Sequence, residues 1–78
     1  MVDQNDLRDA IDNSATEVFL VYNDAQIVIS QSLEKGPNDE PITVLTPDGE
    51  NHVWNAEGVL DVTIEGQSIR SLLPDMEW

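Results

Sequence analysis

The spacing of apolar positions changes along the chain, and each change marks an element. Leu7, Ala10 and Ile11 follow Asp3 at intervals of three and four. That is the period of one helix face, and Asp is a good N-cap. The pattern predicts a short helix over residues 4–13, capped by Asp3 and stopped near Asn13-Ser14. From Thr16 the chain turns to β-branched and aromatic residues. Asn23-Asp24 then interrupts two alternating runs, and both residues tolerate the positive φ of a tight hairpin turn. A β-hairpin is expected over 16–33. Its two faces carry Val18, Leu20, Ile27 and Ile29 on one side and Phe19, Val21 and Val28 on the other, so both faces call for cover. Residues 35–41 read as a loop, because Pro37 and Pro41 bracket polar turn formers.

Turn chemistry sets the expected register of the second half. Thr46-Pro47-Asp48-Gly49 suits a type I turn within a three-residue hairpin loop, Gly49 taking the left-handed position. That pairs Thr46 with Glu50, Val44 with His52 and Ile42 with Trp54. Asn55-Ala56-Glu57-Gly58 reads as a second such turn, pairing Trp54 with Leu60 and His52 with Val62. Both registers put Ile42, Val44, His52, Trp54, Leu60, Val62 and Ile64 on one face. The opposite, mixed face holds Thr43, Leu45, Asn51, Val53, Asn55, Val59, Asp61, Thr63 and Glu65. A slip of one residue would exchange the two faces. Gly66 ends the strand, and Gln67 to Leu73 is either a sixth short strand or a helical turn presenting Ile69, Leu72 and Leu73. Pro74 closes it. Trp78 ends a polar tail, either folded back on the sheet edge or exposed as a contact.

These elements predict one α+β domain over residues 1–78. It has a short N-terminal helix plus a curled, mainly antiparallel sheet of about five strands (hairpin 16–33, meander 41–65), curled enough to be barrel-like. Val, Ile, Leu and Phe supply 22 of the 78 residues. That lies above the level, about a fifth, below which chains remain disordered. The core is small, since a chain of this size buries only about 60–65% of its unfolded surface.

Composition then narrows the chemistry. Sixteen Asp and Glu face three Lys and Arg, for a net charge of −13. Arg8, Lys35 and Arg70 cannot neutralise a phosphate backbone, so direct nucleic-acid binding is excluded. The longest apolar run, Val18 to Tyr22, is far short of the roughly 20 residues of a membrane span. Met1-Val2 leads directly into polar residues without the basic and apolar regions of a signal peptide, and Cys is absent. A cytoplasmic protein is expected, in the host cytoplasm if phage-encoded.

Catalytic constellations are missing. His52, the single histidine, is expected to face the core between Val44 and Val62, away from any serine. Phosphate-binding glycine loops and H-E-x-x-H are absent. Asp48-Gly49-Glu50-Asn51 and the segment Asp9 to Asn13 offer oxygen atoms but lack the alternating ligands and closing Glu of a calcium loop. The chain is therefore read as a non-enzyme without a metal or cofactor.

What remains is the charge. Residues 1–40 carry nine acids and two bases, and residues 41–78 carry seven and one, so the imbalance covers the whole surface. Asp3, Asp6, Asp9 and Asp12 recur at every third position, a slanting stripe on the predicted helix. Asp9 and Asp12 fall near its negative C-terminal end, where a carboxylate is unfavourable, and Asp is a poor helix former. With Asp61 and Glu65 on the mixed sheet face, they form the candidate partner-binding set. The expected partner is a basic protein surface. Its most pointed version is a nucleic-acid mimic inhibiting a DNA- or RNA-binding enzyme, in the manner of phage anti-restriction or anti-CRISPR proteins, which often share this charge balance. The competing reading is a structural or accessory module from a salt-adapted organism, favoured by the single Lys but not by six Asn and six Ile.

Overall fold

The computed structural model describes residues 1–13, 17–32 and 36–78. The elements are α1 (Gln4–Asn13), β1 (Glu17–Tyr22), β2 (Ala25–Gln31), β3 (Ile42–Thr46), β4 (Gly49–Val53), α2 (Ala56–Asp61), β5 (Thr63–Ile64), β6 (Gln67–Ser68) and α3 (Ile69–Leu72). A 3-10 turn over Leu73–Asp75 follows. Strands β1 to β4 form an antiparallel meander in chain order, and β5 pairs separately with β6. The architecture is α+β. The sheet stays open, with β1 and β4 at its two edges.

Helix α1 forms where its caps and period agree. The Asp3 carboxylate accepts the Asn5 N–H at 2.7 Å, and its carbonyl accepts the Leu7 N–H at 3.0 Å. At the other end, Asn13 Nδ2 donates to the Asp9 carbonyl and Gln31 Nε2 of β2 donates to the Ile11 carbonyl. Leu7 and Ile11, one turn apart, are buried. The first hairpin follows its sequence pattern. Asn23 and Asp24 adopt φ of 51° and 64°, and Tyr22 pairs with Ala25 across a two-residue turn. The hairpin's expected limits at Thr16 and Leu33, Ser14 of the helix stop, and Lys35 of the next loop lie outside the described residues.

The second half departs from expectation twice. First, the loop after β3 has two residues. Thr46 pairs with Gly49, so Val44 meets Asn51, Thr43 meets His52 and Ile42 meets Val53. Thr46 Oγ1 holds this turn, accepting the Asp48 N–H and donating to the Gly49 carbonyl, both at 3.1 Å. Gly49, at φ 138°, opens the strand and is not part of the loop. The one-residue slip reverses β4: His52 faces outward, and Val53 packs against the core.

Second, residues 56–61 are helical. Asn55 is an N-cap whose side chain accepts the Gly58 N–H at 3.0 Å. Ala56, Val59 and Leu60 are buried at helical spacing, and Val59 is the one β-branched residue among the six. A Cβ at Gly58 would sit 2.9 Å from Val53 Cβ, so the helix rests directly on β4. The expected fifth strand shrinks to Thr63–Ile64, which turns at Glu65-Gly66 (φ 53° and 83°) into β6. Four long strands without a fifth cannot close a barrel. Residues 67–73 combine both alternatives, a two-residue strand and then a helical turn burying Ile69, Leu72 and Leu73.

One apolar cluster joins these parts. Val18, Leu20, Ile27, Ile29, Ile42 and Val44 line the inner sheet face, against buried residues of the three helices. Each fully buried Leu or Ile contributes about 1.5–3 kcal/mol. Val2 and Met76 complete the cluster. The Val2 N–H bonds the Leu73 carbonyl, and Glu77 exchanges two backbone bonds with Val21 of β1, at 2.7 and 2.9 Å.

Candidate partner-binding surfaces

Two solvent-facing regions offer themselves. The first is the outward side of α1. Successive aspartates are about 4.5 Å apart along the axis and about 60° apart around it. Asp6, Asp9 and Asp12 therefore span roughly 120°, centred opposite the buried Leu7–Ile11 line. All three are exposed, and among the described residues their carboxylates have no ion pair or hydrogen bond. Asp3 is also exposed, but its carboxylate is spent on the helix cap.

The two described arginines are turned away from that stripe. Arg8 Nε pairs with Glu57 of α2, while its other nitrogens donate to Asn5 and Gln4. Arg70 Nη2 reaches Glu57 at 3.4 Å and Asp61 at 3.0 Å, and its Nη1 also donates to Gln4. The cluster ties α1, α2 and α3 together. The Arg8 guanidinium, with Arg70 beside it, holds the Glu57 carboxyl below the usual glutamate range. Asp61 and then Glu57 push the Arg70 guanidinium up. An open cleft of about 670 Å³ lies alongside, lined in part by Asp3, Gln4, Asp6, Arg8 and Arg70. Both guanidinium groups already serve internal carboxylates there.

The expected set of six acids is thus not one surface. Asp6, Asp9 and Asp12 stand together. Asp61 is compensated by Arg70, and Glu65 sits in the β5–β6 turn, where its N–H bonds Asp48 Oδ2 at 2.6 Å. His52, expected in the core, is exposed on the outer sheet face. Its Nδ1 lies 3.2 Å from Thr43 Oγ1 and its Nε2 lies 3.8 Å from Glu50. Trp54, also expected in the core, is 54% exposed, because the register slip moved the alternation past it. Trp78 is 55% exposed, and Met76, not Trp78, is the buried apolar residue of the tail.

The second region is that outer sheet face. Phe19, Val21 and Leu45 are exposed by 46%, 40% and 44%, while the inner-face residues beside them are buried. Pairing makes the patch continuous: Phe19 faces Val28, Val28 faces Leu45, and Leu45 faces Glu50. The sequence had implied cover on both sides of the first hairpin, and the structure supplies it on one. The signal was present in the apolar odd-numbered residues of β1. Which side the helices would take was not.

Among the described residues no three His, Asp or Glu side chains are grouped to hold a metal ion, and no helix is long and apolar enough to cross a membrane. Compared with protein families, curated proteins and solved structures, the chain gives no match in any of the three.

Proposed function

We propose that this protein is a non-enzymatic interaction module whose carboxylates occupy a basic surface of a partner, in the manner of a nucleic-acid mimic that inhibits a DNA- or RNA-binding enzyme. The observation that carries the reading is the uncompensated Asp6, Asp9 and Asp12 face of α1, with both described arginines engaged elsewhere. Their axial spacing of about 4.5 Å is comparable to the roughly 3.4 Å rise per phosphate of one DNA strand. A rigid helix presenting charge at this density steers a basic partner towards it and makes binding fast and salt-dependent.

Local energetics support the same reading. Asp12, in the last turn of α1, costs the helix a few tenths of a kcal/mol against its dipole, and among the described residues no bond offsets it. The test is capture from cell lysate at low salt, followed by elution in a salt gradient. The expected result is one nucleic-acid enzyme, displaced by competing duplex DNA or RNA and lost when Asp6, Asp9 and Asp12 all become Asn. Retention of that partner by the triple variant would sink the reading. So would a protein unfolded at about 0.1 M KCl and folded only near 2 M, the behaviour of a salt-adapted module.

A further inference from the structure

The outer face of the sheet has the anatomy of a second, independent interface. Phe19, Val28 and Leu45 form a row across three strands, and Val21 extends it along β1. At about 4.8 Å between strands, the row from Phe19 to Glu50 runs roughly 14 Å. No described helix covers it, because Leu7, Ile11, Val59, Leu60, Ile69 and Leu72 all join the cluster on the inner face. Exposed apolar side chains side by side on a small monomer mark a contact site more often than chance placement does.

The charges around the patch specify what it takes. Glu50 faces Leu45, with His52 Nε2 3.8 Å from its carboxylate. Glu77 faces Val21 through the isolated bridge to the C-terminal segment. Two carboxylates therefore flank an apolar centre at opposite edges of the sheet. Both described arginines belong to the helix-side cluster with Glu57, so no described Lys or Arg stands on this face. A second copy is a poor occupant, since it would set the same acidic rim against itself on a body of charge −13. A segment with the opposite arrangement fits, with apolar side chains for the centre and cations for the rim.

We propose that the outer sheet face is a docking surface for a protein segment in which apolar residues alternate with Lys or Arg. The apolar row supplies contact area and the glutamates supply orientation and selectivity. This surface lies away from the α1 aspartates, and its case does not depend on them.

The test is a backbone-amide NMR titration of the intact protein with a short alternating Lys–Leu peptide, with Lys–Ser and Glu–Leu peptides as controls. Only Lys–Leu is expected to bind, with shifts concentrated at Phe19, Val21, Val28 and Leu45. Replacing Phe19 and Leu45 together with Thr, a good strand former, should weaken binding about tenfold or more. Changing Glu50 and Glu77 to Gln leaves the apolar row intact, and should weaken binding and flatten its salt dependence even if the Thr variant fails to fold. The Asp6, Asp9 and Asp12 to Asn variant should bind the peptide as the parent does, which separates this proposal from the aspartate reading. Equal binding of Lys–Ser, absence of Lys–Leu binding, shifts mapping to α1, or self-association through this face at about 0.1 M KCl would each overturn it.

Discussion

The outward side of α1 and the outward side of the sheet both face solvent, yet they are built on opposite principles. The helix side carries charge with no apolar surface, in residues that oppose helix formation at its C-terminal end. The sheet side carries apolar residues well suited to strands, flanked by carboxylates. Its residues obey local propensity and disobey the preference for burial, whereas the aspartates obey the preference for exposure and disobey propensity. The comparison teaches that a residue's fit has to be judged at both levels. A conflict at either level marks a place where folding alone does not explain the choice.

The largest expected effect separates the two faces of the sheet. Ile27 is buried and its neighbour Val28 is half-buried on the other side. Ile27→Ala should cost about 2–5 kcal/mol and Val28→Ala about 1 kcal/mol or less, read by urea unfolding. Equal costs would mean that something covers the outer face and would break the comparison.

Gly58→Ala comes next. Helix propensity favours Ala by about 1 kcal/mol, but its Cβ would meet Val53 at 2.9 Å, and overpacking costs about 1–3 kcal/mol. A net loss is expected, and Val53→Ala should relieve it only in part, because the 2.9 Å contact is with Val53 Cβ, which alanine keeps. Asn55→Ala removes the α2 cap and should cost about 1 kcal/mol. Because α2 carries Glu57, that variant also loosens the arginine cluster that keeps positive charge away from the stripe on α1.

Acidification sharpens the electrostatic side. Glu57 has a folded-state pKa below its ordinary value of 4.5. Its contribution is therefore present above that value and lost as pH falls through the lowered one. Thermal melts should show stability falling as the pH drops below about 4.5 and through the lowered Glu57 range. In Glu57→Gln that fall should be shallower.

The smallest effect is the most diagnostic for α1. Asp12→Asn should raise stability by a few tenths of a kcal/mol, because it removes a charge from the negative end of the helix. Destabilisation instead would show that Asp12 holds the fold, and would remove the conflict on which its proposed binding role rests.

Much of the first half was legible in the chain. Asp3 with Leu7 and Ile11 carried the helix, and Asn23-Asp24 carried a turn that few other pairs adopt, so its register followed. The second half misled because its turn residues admit two outcomes. Pro47 and Gly49 fit a three-residue loop as well as a two-residue one, and Asn55 serves a turn or a helix cap equally. The two mistaken readings agreed with each other, yet the first register was one residue off and the second hairpin gives way to α2. Of the candidate site, the exposure of Asp6, Asp9 and Asp12 was readable, since they oppose the Leu7–Ile11 line on any helix. The compensation of Asp61 by Arg70 was not, because it joins α2 and α3 only after they pack.

By itself, the sequence determined what periodicity and charge count determine: an N-terminal helix, a leading hairpin, and a surface whose acids far outnumber its bases. These are local or additive properties and need no knowledge of neighbours. The tertiary structure alone decided that α2 displaces a fifth strand, that His52 and Trp54 face outward, that both described arginines are consumed in one cluster, and that Phe19, Val21 and Leu45 remain uncovered. Each of these is a competition for the same partner or the same face. Such competitions are settled by the free energy of the whole packed chain, in which a one-residue shift moves an entire row of side chains from core to water.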